Sequence, residues 1–300
     1  MERIQLTEDL SFSRFVHGLW RLSDWNYTKQ ETLSLINEAI ETGITTFDHA
    51  DIYGSYTCEE RFGEALALMP SIREKMEIVT KCGIVLESEN RPEHRSHHYN
   101  TSKKHIIKSA ERSLANLHTD YIDVLLIHRP DPMMDPSEVA RAFTQLKKEG
   151  KVRAFGVSNF KDHQLSMLQS YLDEKLVTNQ IEVSPYELEN IHDGTLNVCL
   201  RERIAPMAWS PLAGGKLFTG EDDKSIRLRE SLTKIQQETG AASMDQVAYA
   251  WLLKHPAKIM PIIGSGNIER IQGAAAAAEI ELNLDQWFEI LHSSMGHEVP

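Results

Sequence analysis

YIDVLLIHRPDPMMDPSEVARAFTQLKKEGKVRAFGVSNF, residues 121–160, is the stretch that decides the architecture. It opens on an apolar run, YIDVLLIH (121–128), of the length and branched composition of a buried strand. Asp135-Pro136-Ser137 then has the form of a helix start, a capping side chain followed by proline at or near the first helical position. VARAFTQLKKEG carries on to Gly150, a residue suited to a helix exit, and VRAFGVS (152–158) reads as a second strand. Two strands joined through a helix form a parallel βαβ unit.

The same alternation continues in both directions. Strand candidates are FVHGLW (15–20), ITTFD (44–48), EIVTKC (77–82), YIDVLLIH (121–128), VRAFGVS (152–158), LVTNQIE (176–182), APMAW (205–209) and IMPII (259–263). Helical stretches separate them. Thr28 precedes KQETLSLINEAIETG, whose Leu33, Ile36 and Ile40 share a face and whose Gly43 suits a stop, and Ser102 leads KKHIIKSAERSLANL. KDHQLSMLQSYL, GTLNVCLRERI and DQVAYAWLLKH follow the same pattern. Eight strand and helix pairs predict a closed (β/α)8 TIM barrel, a single α/β domain over residues 1–300; a doubly wound sheet usually stops at about five or six strands. Two stretches exceed the minimal pattern: the polar 86–101 segment, expected as a loop on the C-terminal rim, and 212–242, expected as an excursion with a helix around Leu228–Gln237. A short helix and a loose end are expected after Leu284.

With 41% hydrophobic and 25% charged residues, the chain has the composition of a packed globule. A formal net charge of −12 opposes a role in coating nucleic acid or anionic membrane, since both repel an acidic surface. The first residues, MERIQLTEDLSFSRF, lack the form of a secretory leader, and no run reaches the roughly 18 apolar residues of a membrane span. A cytoplasmic protein is expected. Cys58, Cys82 and Cys199 have no metal or dithiol spacing and read as free thiols.

Barrel enzymes carry their reactive groups at the C-terminal ends of the strands and in the loops beyond. Here those ends are polar: FDHADIYG (47–54), TKCG (80–83), LLIHRPDP (125–132), GVSNF (156–160), NQIEVSPY (179–186) and WSPLAGGK (209–216). In this order the motifs resemble those of the aldo-keto reductase family, and the resemblance runs from about Arg14 to Arg270. It implies NADPH-dependent reduction of a small aldehyde or ketone, with a catalytic tetrad of Asp48, Tyr53, Lys81 and His128. Carbonyl reduction explains the choice of residue types. Negative charge builds on the carbonyl oxygen, so a proton donor and a hydrogen-bonding group must meet it. A free phenol has a pKa of about 10, and a neighbouring ammonium stabilises the phenolate it leaves behind. Lys81 is expected to bring the Tyr53 pKa down in this way, Asp48 to keep Lys81 charged, and His128 to orient the substrate oxygen.

The resemblance further implies that Ser158, Asn159 and Gln180 bind the nicotinamide carboxamide and that Trp209 stacks on its ring. Ser210, Leu212 and Lys216 would hold the pyrophosphate, and Gly264, Ser265 and Arg270 the 2′-phosphate end at the start of a helix. Gly264-Ser265-Gly266 lacks the third glycine of a Rossmann fingerprint, and its late position also argues against one. The chain departs from the family at Gly264, Asn267, Gly273 and Ala274, where a basic residue, a Glu and an Asn are frequent. Trp20, Trp25 and Tyr56 are placed either to line a substrate pocket or to cover the rim.

No metal site is expected. Asp48, His49, Asp51 and His128 are possible ligands, but alternation along a strand points Asp48 and His49 to opposite faces. His94, His97 and His98 fall in the polar loop. An NADP(H)-binding sensor or regulatory barrel and a metal-assisted hydrolase are the rival readings. The expected partner is a small carbonyl compound, with the chain a monomer or a weak homo-oligomer.

Overall fold

A computed structural model describes residues 1–300. Eight parallel strands close into a barrel: β1 (Val16–Gly18), β2 (Thr46–Asp48), β3 (Glu77–Cys82), β4 (Ile122–Ile127), β5 (Val152–Ser158), β6 (Asn179–Glu182), β7 (Met207–Trp209) and β8 (Met260–Ile263). Each strand pairs with its neighbours in sequence, and β8 closes on β1 through Ile262 opposite Val16. The first, sixth and seventh strands are shorter than their apolar runs. Phe15, Leu176, Val177 and Ala205 are buried outside the ladder, so hydrophobicity alone overstates these strands.

The helices α1 (Lys29–Glu41), α2 (Cys58–Leu66), α3 (Lys103–Asn116), α4 (Pro136–Lys148), α5 (Asp162–Gln169), α6 (Thr195–Glu202), α7 (Met244–Lys254) and α8 (Ile268–Ala276) follow the strands in turn. The starts of α1, α3, α4 and α8 are capped by side chains. Thr28 and Glu31 form a reciprocal capping box on α1, and Asp135 accepts from Ser137 N at 2.9 Å on α4. The excursion before α7 contains the helix Asp223–Thr239, and the tail helix Leu284–Met295 docks beside it. Trp287 of the tail stacks on Trp251 at 5.0 Å.

Alternation sorts the barrel into an apolar lower interior and a polar mouth. On β3, Val79 joins the interior cluster while Ile78 and Cys82 face helices, so Lys81 points inward one step above Val79. The same count places Asp48 inside on β2, His128 just past β4, Ser158 on β5, Gln180 on β6 and Trp209 on β7. Val16, Val124, Leu126, Ala154, Met207 and Ile262 fill the space beneath.

An N-terminal hairpin, Arg3–Gln5 paired with Ser11–Ser13, closes the floor with Ile4, Leu10 and Phe12. Its strands of three residues are too short to show a period. Residues 86–97 of the rim segment form the connection of a small hairpin in which Ile84–Val85 pairs with His98–Tyr99, so the stretch expected as loop contains a short strand. No helix is long and apolar enough to cross a membrane.

Candidate active site

Lys81 lies at the centre of the mouth, fully buried. Its Nζ donates to both Asp48 carboxylate oxygens at 2.8 Å, to the His49 carbonyl at 2.7 Å and to Tyr53 Oη at 2.9 Å. Gln180 Nε2 adds a third bond to Asp48 at 2.8 Å. Tyr53 stands on the loop after β2, and the turn beyond it needs Gly54. That residue has φ +56°, and a Cβ there would lie 2.4 Å from Ser23 Oγ. His128 faces the phenol edge-on, with ring centroids 6.0 Å apart. The four side chains expected from the strand ends therefore share one locus.

Electrostatics assign their charge states. Burial by itself draws the Lys81 ammonium down, but Asp48 and Tyr53 outweigh it and hold it above its ordinary value. Burial also pushes Asp48 up, against Lys81 and Gln180. The two tendencies compete over one proton, and donor geometry decides for the ammonium. Three N–H groups serve Asp48, the His49 carbonyl and Tyr53, whereas a neutral amine has only two. Tyr53 departs from expectation: burial holds its phenol above the ordinary value, and Lys81 only partly offsets this beside the opposing charge of Asp48. The phenol keeps its proton through neutral pH. Burial, then Lys81 and Arg129, pushes the His128 imidazole well below its usual value, so it is neutral, and its buried Nδ1 has no partner.

The residues assigned to a nicotinamide form a linked chain. Ser158 Oγ donates to the Gln180 carbonyl at 3.0 Å, Asn159 Nδ2 to Ser158 Oγ at 2.7 Å, and Trp209 Nε1 to Asn159 Oδ1 at 3.0 Å. Asn159 and Ser210 hold positive φ values of 62° and 49°, a costly conformation for non-glycine residues at a strand end. Leu212 is half-buried, Lys216 and Arg270 are exposed, and no atom lies within 4 Å of a Cβ built on Gly214, Gly215 or Gly264. Open backbone, exposed cations and an indole across one rim fit an extended dinucleotide.

Other expected positions lie apart. Trp25 stacks on His17 at 6.1 Å, and a Cβ on Gly266 would meet its ring at 2.7 Å. Gly266 therefore makes room for an indole. His17, which the strand reading passed over as part of an apolar run, bonds the Ser265 carbonyl through Nε2 at 2.9 Å and braces the segment before α8. Tyr56 is turned outward and buried, its hydroxyl accepting from Leu86 N at 2.8 Å, so it anchors the rim loop. Trp20 is 60% exposed on the rim. His94 bonds the Leu86 carbonyl at 3.0 Å. His49 faces outward, edge-on to Phe62 at 4.4 Å, away from Asp48.

Two buried histidines and the half-buried His105 predict a pH effect on stability. Burial is the first cause in each case, and His17, His49 and His105 are pushed down to about 4, about 3 and about 4. Values below the unfolded one of about 6.5 mean that folding favours the neutral rings. Their contribution is complete above about pH 6.5 and is lost as the pH falls towards those lower values. Both ring nitrogens of His49 lack partners, so His49→Leu breaks no hydrogen bond. Between about pH 6 and 4, the unfolding free energy of the variant from urea titrations should depend less steeply on pH, by up to ~1.4 kcal/mol per unit. Equal slopes in variant and parent would show that His49 is not buried neutral.

Fold and site together define an eight-stranded parallel barrel whose mouth gathers a buried ammonium, a carboxylate, a phenol and a neutral imidazole. The model of the Aldo/keto reductase family matches residues 14–293. The chain belongs to this family and is an oxidoreductase. It is 66% identical over 300 residues to the oxidoreductase YcsN of Bacillus subtilis (strain 168), covering all of both chains. It is 44% identical over 300 residues, again covering both chains fully, to a 6-dehydroglucose reductase of Agrobacterium fabrum (strain C58). Among solved structures, an aldo/keto reductase from Klebsiella pneumoniae in complex with NADP and acetate superposes with a TM-score of 0.79 at 25% identity, covering 99% of this chain and 96% of the other.

Proposed function

We propose that this chain reduces an aldehyde or ketone to the alcohol with NADPH, Tyr53 acting as the general acid. The observation that carries this reading is the Lys81 ammonium, bidentate to Asp48 and 2.9 Å from Tyr53 Oη. NADPH, when bound, supplies the hydride that the carbonyl carbon accepts. Ser158, Asn159 and Gln180 would hold its carboxamide, Trp209 its ring face, Ser210, Leu212 and Lys216 its pyrophosphate, and Gly264, Ser265 and Arg270 its 2′-phosphate.

The rest is done by the protein. The neutral His128 donates an N–H to the substrate oxygen and orients it towards Tyr53. As that oxygen gains charge, the phenol delivers its proton, and the phenolate that remains is matched by the Lys81 ammonium. Asp48 keeps the ammonium charged, both groups being buried. Residues 1–300 act as one barrel domain in the cytoplasm, as a monomer or weak homo-oligomer, on a small carbonyl compound. Relatives named 6-dehydroglucose reductase favour an aldehyde that carries hydroxyl groups.

NADPH consumption at fixed enzyme with a panel of aldehydes, ketones and quinones tests this reading. Turnover of at least one carbonyl with a matching yield of alcohol is expected; no turnover across the panel would overturn it. Arg270→Ala should lower the preference for NADPH over NADH by ~10-fold or more, the effect of losing a charged hydrogen bond. An unchanged ratio of kcat/KM values for the two coenzymes would take the 2′-phosphate away from Arg270.

A further inference from the structure

Arg129 follows His128 directly, and its guanidinium reaches over the mouth to 5.8 Å from the Trp209 ring centroid. It is half-buried. Arg3, Arg14, Arg73, Arg112, Arg141, Arg153 and Arg201 all hold carboxylates, whereas Arg129 makes no ion pair and no side-chain hydrogen bond; Arg21, Arg61, Arg95, Arg203 and Arg270 are equally unpaired but lie exposed to water. Five N–H donors are thus left free next to the imidazole that meets the substrate oxygen. Glu182, at the end of β6, lies opposite Trp209 in the ladder, the residue whose ring Arg129 approaches. Burial and the neighbouring Glu187 push its carboxyl up, while Arg129 and Lys216 pull it down, yet neither cation comes within ion-pair distance.

A free guanidinium beside a carboxylate that it does not bind forms a divided donor and acceptor pair. An anionic substituent would satisfy Arg129 but meet the charge of Glu182. A hydroxyl group satisfies both, because it accepts from one and donates to the other. We infer that Arg129, near Glu182, is a specificity residue that recognises hydroxyl groups close to the carbonyl, so that the preferred substrate is a polyhydroxylated aldehyde. This rests on the carbonyl-reductase reading above and adds to it a residue and a substrate class.

Steady-state kinetics with NADPH, comparing glyceraldehyde with propanal, provide the test. In the parent enzyme, kcat/KM for glyceraldehyde should exceed that for propanal by ~10-fold or more. Arg129→Met should bring the ratio close to one, mainly through KM for glyceraldehyde, and Arg129→Lys should retain part of it. Succinic semialdehyde and a fluorescence titration of NADPH complete the set. A parent enzyme that turns over propanal without favouring glyceraldehyde would overturn the inference while leaving the reductase reading intact. So would a ratio that survives Arg129→Met, or a preference for succinic semialdehyde that depends on Arg129. An NADPH dissociation constant that rises in parallel with KM would reassign Arg129 to the coenzyme and overturn it too. No turnover of any carbonyl would overturn both readings.

Discussion

Tyr53→Phe is expected to lower kcat for carbonyl reduction by ~10²–10⁴-fold, the range set by loss of a general acid, while NADPH still binds. The hydroxyl has one partner, Lys81 Nζ, and the ring packs edge-on to His128. Phenylalanine preserves that packing, and Lys81 keeps Asp48 and the His49 carbonyl. The fold should therefore survive. His128 cannot easily take over, because a neutral imidazole releases its remaining proton far less readily than a phenol does. Burial holds the phenol above its ordinary value of about 10, so reduction by the parent enzyme should stay level through neutral pH and fall only beyond that value. Stopped-flow measurement of NADPH consumption, together with a fluorescence titration of coenzyme, separates chemistry from binding. Turnover within about tenfold of the parent would remove Tyr53 from the proton transfer.

The barrel was readable because its signals are local and repeated. Each strand is a short apolar run followed by a helix, several of them capped by a side chain, and Asp135-Pro136-Ser137 shows the form as clearly in sequence as in structure. The convergence of Asp48, Lys81 and His128 was implied by the resemblance alone, and the structure supplies its physical reason: a period of two, counted up from Val79 or Val124, decides which side chains enter the barrel.

What escaped depends on long-range contacts that no local pattern carries. The floor hairpin has strands of only three residues, and its role depends on Phe12 meeting the far ends of several strands. His17 reads as one more residue in FVHGLW until the segment before α8 folds back onto it. The direction of the Tyr53 shift could not be taken from a Lys and a Tyr alone, because it depends on how deeply the loop packs and on Asp48 beside the ammonium. Arg129 stood in view within IHRPD, but that it is half-buried over the mouth and free of any carboxylate shows only once the chain is folded. Tyr56, three residues past Tyr53, could be placed from sequence either in the pocket or on the rim. The left-handed turn at Gly54 and Ser55 sends it outward to the rim loop.

Lys81→Met should be at least as damaging to turnover as Tyr53→Phe, and it should also destabilise the fold. The ammonium is fully buried and serves both oxygens of a carboxylate that is itself 2% exposed. Removing one member of a buried ion pair leaves the other uncompensated, at a cost of about 3–5 kcal/mol. Asp48 would retain only the Gln180 N–H. Burial already pushes the Asp48 carboxyl up, so without Lys81 its folded value lies above its unfolded one. The destabilisation is then present in full above that folded value and is relieved as the pH falls through it and Asp48 gains a proton. Asp48→Asn in the Lys81→Met background replaces the stranded charge with an amide of similar size, and urea midpoints at neutral pH should recover most of the loss. Turnover should not recover, because no cation then faces the phenolate that proton transfer leaves on Tyr53. Recovery of both properties would reduce Lys81 and Asp48 to a structural brace; recovery of stability alone places the ammonium in the chemistry.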